Sequence, residues 1–121
     1  MITGVFDENT PLFNVVVAWG RAVQSQFVVL DTGFTGDLQV TPQMAKDLGL
    51  AVASVTRMKD ANGEVKEKPT ALAFATMEGE TETIDVLISE SDPLAGISFL
   101  SKFGYKATVD CKYRTVQLEK A

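Results

Sequence analysis

The run Phe27-Val28-Val29-Leu30-Asp31-Thr32-Gly33-Phe34-Thr35-Gly36 carries an acid to the end of an apolar segment. Four apolar residues in a row predict a strand buried on both faces. The strand leads straight into Asp31, Thr32 and Gly33, so the carboxylate stands at the mouth of a core, half desolvated, with a tight glycine turn behind it. Upstream, Leu12–Trp19 is rich in β-branched and aromatic residues and predicts a strand. Gly20-Arg21 predicts a turn, and Ala22–Leu30 the returning strand that delivers Asp31. Met1–Pro11 reads as a loose arm or an edge strand.

Downstream, Asp37–Val40 is short and extended. Thr41 as cap, Pro42 at the first helical position, Met44, Ala45 and Leu48 on one face and Gly49 as stop predict a two-turn helix. Val52–Met58 and Val65–Pro69 predict a long, charged hairpin around Asn62-Gly63, the strongest two-residue hairpin signal. With few large apolar residues it is expected to project from the body. Ala71–Met77 and Thr83–Ile88 predict a hairpin around Glu78-Gly79-Glu80. A short helix follows Gly96, with Ile97, Leu100 and Phe103 on one face and Gly104 as stop. Lys106–Val109 and Thr115–Leu118 close the chain as a hairpin. Short, regularly spaced strands with two brief helices indicate an all-β barrel or sandwich.

The bulk properties narrow the chemistry. The 121 residues predict one domain spanning 1–121, and 45% hydrophobic with 22% charged residues is ordinary for a soluble protein. A formal charge of −5 argues against nucleic acid as a partner. No apolar run approaches a membrane span and the N-terminus does not resemble a signal peptide, so a cytoplasmic location is expected. Histidine is absent, which excludes Ser-His-Asp and Cys-His machinery and His-ligated zinc within the chain. The single Cys111 cannot form an internal disulfide and reads as a small residue at a strand end. No phosphate-binding glycine loop is present. Asp60-x-Asn62-Gly63 lacks the further ligand spacing of a calcium loop, and Asp31, Asp37 and Asp47 make no metal pattern, so no metal or cofactor is expected. Asp37 reads as a solvated turn residue.

The order of these pieces resembles the single-lobe, retroviral-type (retropepsin-like) aspartic proteases from about Leu12 to Leu118. The matching segments are Leu30-Asp31-Thr32-Gly33, Leu48-Gly49-Leu50, the Asn62-Gly63 hairpin, Leu94-Ala95-Gly96 with Phe99-Leu100, and Val109-Asp110 before Arg114-Thr115-Val116. The resemblance implies an all-β fold with a closed acid-protease-type barrel, two short helices and a flap hairpin, one lobe per chain. It also implies peptide-bond hydrolysis in which two carboxyls activate water. Because the chain carries one Asp-Thr-Gly, the second carboxyl comes from a second copy across a two-fold axis. Asp31, Thr32 and Gly33 are thereby the catalytic trio. Thr32 reaches to the opposite loop, and Gly33 allows close backbone approach. Phe34, Thr35, Ala61, Asn62, Gly63, Ala95 and Gly96 contact an extended peptide or protein substrate.

Two residues depart from that family's pattern. Phe34 stands where Ala or Ser is usual, and a ring beside the carboxyls would narrow the cleft or raise their pKa by desolvation. Thr35 is a substitute hydroxyl, and Ala95 is smaller than the usual apolar residue before Gly96. Asp-Thr-Gly-Phe resembles a set of microbial retropepsin-like proteins, with activity on narrow substrates or none. The alternative function is therefore a catalytically silent dimeric peptide-binding or assembly module on the same fold, and a third is a plain structural β-domain. Trp19 reads as core or dimer packing, Asp110 as a turn acid, and Arg114 as a partner for a carboxylate near a dimer contact.

Overall fold

The computed structural model describes residues 1–59 and 61–121. Among them the chain forms β1 (Ile2–Thr3), β2 (Val5–Asp7), β3 (Thr10–Trp19), β4 (Ala22–Leu30), β5 (Leu38–Val40), α1 (Pro42–Leu48), β6 (Val52–Lys59), β7 (Val65–Met77), β8 (Glu80–Ile88), β9 (Leu94–Ala95), α2 (Ile97–Lys102), β10 (Tyr105–Asp110) and β11 (Thr115–Lys120). Strands β3, β4, β9, β5, β8 and β7 bond side by side in that order, and β7 pairs back onto β3 to close the ring. The strand spacing left barrel or sandwich open, and the ring is the closed barrel that the resemblance implied. None of the described helices is long and apolar enough to cross a membrane.

The ring has one interior, and alternating side chains fill it. Phe13, Val15 and Val17 from β3 meet Val28 and Leu30 from β4, Leu38 and Val40 from β5, Ala73 and Ala75 from β7, and Ile84 and Val86 from β8. Each large side chain so buried contributes about 1.5–3 kcal/mol. The segment before Asp31 is therefore buried on one face, not two. Val28 and Leu30 face the core, while Phe27 is 48% exposed and Val29 half-buried. Four consecutive apolar residues concealed an alternation because the barrel wall has no layer over this outer side.

The α1 helix forms as its sequence predicts. Thr41 Oγ1 accepts from the Met44 N–H, Pro42 opens the helix, and Gly49 closes it at φ +70°. The α2 prediction needs one correction: Phe99, Leu100 and Phe103 face the core, whereas Ile97 is 49% exposed. Phe99 lies 6.1 Å from Phe13 and 5.0 Å from Phe103, so aromatic contacts seat this helix against the barrel.

The hairpin β6–β7 projects as expected. Beyond Thr70, toward its tip, β7 has only β6 as a neighbour, because pairing with β8 begins at Thr70. Pro69 falls at that point, where a missing N–H costs no ladder bond to β8. The two extended pieces Val65–Pro69 and Ala71–Met77 are one continuous strand. A two-residue Asn62-Gly63 turn is not formed: Lys59 pairs with Val65, and Ala61–Glu64 lie outside both strands, with Gly63 at φ +82°. Asp60, and with it the start of the dismissed calcium pattern, lies outside the described residues.

The first eleven residues supply edge strands, the second of the two expectations. β1 pairs with β11, and β2 with β3. β1, β11 and β10 make a separate three-stranded sheet. In its turn Asp110 Oδ1 accepts from the N–H groups of Lys112 and Tyr113, the turn role expected of it. Arg114 donates to the Glu8 carbonyl and Asn9 Oδ1. Trp19 is half-buried and stacks on Phe74 at 5.7 Å; Phe74 is 42% exposed, so the pair lies at the surface and not in the core. Cys111 is exposed in the closing turn.

Candidate active site

Asp31 is delivered by a ladder that continues past the end of β4. Val29 and Leu30 pair in parallel with Leu94 and Ala95, and the Asp31 N–H donates to the Ala95 carbonyl at 3.0 Å. The chain then turns. The Phe34 N–H donates to the Asp31 carbonyl at 3.2 Å, and the Gly33 N–H donates to Asp31 Oδ1 at 2.9 Å. One carboxylate oxygen is thus oriented by backbone, while Oδ2 has no bond from the described residues. Asp31 is half-buried, and Thr32 and Gly33 are exposed. Chemically this is a pre-oriented carboxylate with one oxygen available to an incoming group.

Phe34 turns inward. It is 8% exposed, and its ring covers Gly36 so closely that a Cβ there would come within 2.6 Å of Phe34 Cζ. Gly96 faces the same segment: a Cβ would collide with the carbonyl oxygens of Gly36 and Phe34 and lie 3.1 Å from the ring. Only glycine permits this approach. The ring therefore packs the loop onto Gly96. One edge of Phe34 still lines a cavity of about 150 Å³ with Leu38, Thr56, Met58, Thr70 and Leu87.

Asp37 is the largest correction to the expected site. It is buried, 3% exposed, rather than solvated. Its Oδ2 accepts from Lys102 Nζ at 2.6 Å and from the Asp85 N–H at 2.9 Å. Lys102 also donates to the Thr83 carbonyl at 3.2 Å, and the Gly96 N–H donates to the Asp37 carbonyl at 3.1 Å. Burial alone would raise this carboxyl's pKa, but hydrogen bonds from Lys102, Ser98 and the Asp85 backbone outweigh it and hold the group below its ordinary value. Asp37 thus pins the far end of the Asp31 loop to β8 and α2.

The residues expected to catalyse and to contact substrate divide into two groups. Asp31, Thr32, Gly33, Phe34 and Thr35 form one turn, and Ala95 and Gly96 lie against it. Ala61, Asn62 and Gly63 sit exposed at the hairpin tip, away from the cavity lining. The hairpin's contribution to that cavity comes from Thr70 on β7 and, on β6, from Thr56 and Met58, which sequence reasoning missed. Their two-residue spacing against the exposed Val55, Arg57 and Lys59 was the available signal. Leu38, Leu87 and the Asp37–Lys102 pair were missed as well.

No protein-family model matches the chain, and no curated protein matches it. Solved structures do. EIAV protease complexed with the inhibitor HBY-793 superposes with a TM-score of 0.65 at 18% identity, over 84% of this chain and 95% of that one. A retropepsin-like aspartic protease from Rickettsia conorii gives 0.63 at 16% identity, over 98% of this chain and 89% of that one. The chain has the retropepsin-like aspartic protease fold.

Proposed function

We propose that this chain is an aspartic endopeptidase of the retropepsin-like family that works as a homodimer, with Asp31 of two copies meeting on the two-fold axis. The observation that carries the reading is the placement of Asp31. Its carboxylate stands half-exposed at the end of a barrel strand, with Oδ1 oriented by Gly33 and Oδ2 unbonded within the described chain.

Two such carboxyls brought together cannot both ionise, so they hold one proton between them. The ionised member takes a proton from a water whose oxygen attacks the peptide carbonyl. The protonated member then supports the tetrahedral intermediate and returns a proton to the leaving amide nitrogen. Thr32 of each copy secures the opposite loop, and Gly33 keeps the backbone close. The β6–β7 hairpin covers the peptide and offers strand-like bonds, excluding water.

The test is cleavage of a mixed peptide library from acid to neutral pH by the wild type and by Asp31→Asn. Cleavage that disappears with Asp31→Asn is the expected result. A folded, dimeric wild type that cuts nothing at any pH, or an Asn variant that cuts equally well, overturns the reading.

A further inference from the structure

We propose that the groove on the β4 side of Asp31 selects a basic side chain, lysine or arginine, in the peptide. This rests on the endopeptidase reading and names its substrate class. Phe27, Val29 and Asp31 alternate onto one face of the chain while Val28 and Leu30 face the core. Same-face neighbours on a strand are about 7 Å apart. The groove wall at Val29 therefore begins roughly two residues of extended peptide from the carboxylate.

The groove holds about 200 Å³. Leu12, Phe27, Val29 and Pro93 give it an apolar floor, Thr10 lies beside them, and the solvent-exposed Asp7 and Asp92 complete its lining. The walls are tethered. Leu12 pairs with Val29, the Val29 N–H donates to the Pro93 carbonyl at 2.9 Å, and Gln39 Nε2 donates to the Asp92 carbonyl at 2.9 Å. Asp7 is paired with Thr10 across the β2–β3 ladder.

No lysine or arginine lines the groove. Among the described residues neither Asp7 nor Asp92 has an ion pair within the chain. Arg114 reaches the β2–β3 turn but donates to the Glu8 carbonyl and Asn9 Oδ1.

Lysine and arginine match this chemistry because each joins an apolar stem to a cationic head. The stem covers Leu12 and Val29, and the head reaches the carboxylates or the face of the exposed Phe27 ring. A wholly apolar side chain would instead cover part of the carboxylates' hydration and return no bond. The chain's formal charge of −5 adds long-range attraction of the same sign.

The experiment has two arms, run on the full chain. In the first, matched peptides carrying lysine or norleucine at each position around the cut are digested by wild type and by Asp7→Asn/Asp92→Asn. In the second, the same peptides are bound to Asp31→Asn protein with and without the two further substitutions. Lysine is expected to be favoured over norleucine by roughly fivefold at a position within three residues of the cut, falling to within about twofold in the double variant and in high salt. Asp7→Lys/Asp92→Lys is expected to transfer the preference to glutamate.

Cleavage with no lysine preference, or a preference the double variant keeps, overturns the groove assignment and leaves the endopeptidase reading standing. Lysine-selective binding without any cleavage overturns the endopeptidase reading and retains a groove for basic peptides. Absence of both cleavage and selective binding overturns both.

Discussion

Asp31 and Asp37 stand six residues apart on one loop, and the chain treats them in opposite ways. Asp31 is half-exposed and takes one backbone N–H; Asp37 is almost fully buried and takes an ammonium, a backbone N–H and the Ser98 side chain. The residue type is the same, so the division of labour lies in burial and partners. A buried carboxylate that accepts from an ammonium and a backbone N–H holds a loop in place and is closed off from a reacting molecule. One with a free oxygen can react only if something else holds the loop, and Asp37, Gly96 and Phe34 do that.

The sharpest way to break the comparison is to dislodge the support. Gly96→Val puts side-chain atoms into the carbonyls of Gly36 and Phe34. It is expected to cost more than about 3 kcal/mol in urea unfolding, with activity lost through the fold. Phe34→Ala empties a site beside the 150 Å³ cavity and is expected to cost about 3 kcal/mol. A cost below about 1 kcal/mol would mean that the ring contributes little to packing.

Lys102→Met separates the partners more gently. Asp37 keeps its Asp85 and Ser98 bonds, and Lys102 is already 35% exposed, so the expected loss is roughly 2 kcal/mol, below that of a fully buried pair. The same pair sets an acid limit. Because the folded-state pKa of Asp37 lies below its ordinary 3.8, its contribution is present above that value and fades as pH falls through the lower folded one. Unfolding midpoints followed from about pH 5 down to about pH 2 should decline less steeply in Asp37→Asn than in the wild type. Equal slopes would remove Asp37 from the account. The smallest effect is expected at Asp31 itself: Asp31→Asn should change stability by less than about 0.5 kcal/mol, since the Asn side-chain oxygen still accepts from Gly33.

How far these roles could be read from the sequence follows the same division. Asp31-Thr32-Gly33, the Thr41 cap with Pro42 and Gly49, and the hairpin arms all rest on neighbouring residues and were legible. The Asp37–Lys102 pair was not, because its members lie 65 positions apart and meet only when α2 docks on the barrel. Nothing local distinguishes a buried Asp after Gly36 from a solvated one. The same limit explains Phe34, whose inward ring depends on Gly96 arriving from β9, and Ile97, whose exposure depends on how α2 seats. Phe27 and Val29 were legible as strand but not as outer wall, since closure of the ring decides which side is inside.

The central claim is that one chain holds half of a catalytic site, with Asp31 the half it supplies. Mixing subunits tests this most directly. Wild-type protein is equilibrated with increasing excess of Asp31→Asn chain, and peptide cleavage is measured alongside the fraction of mixed dimers. Activity is predicted to fall as wild-type chains are drawn into dimers that carry a single Asp31. Cleavage that stays constant per wild-type chain while mixed dimers form would mean that each chain carries a complete site, and would contradict the account.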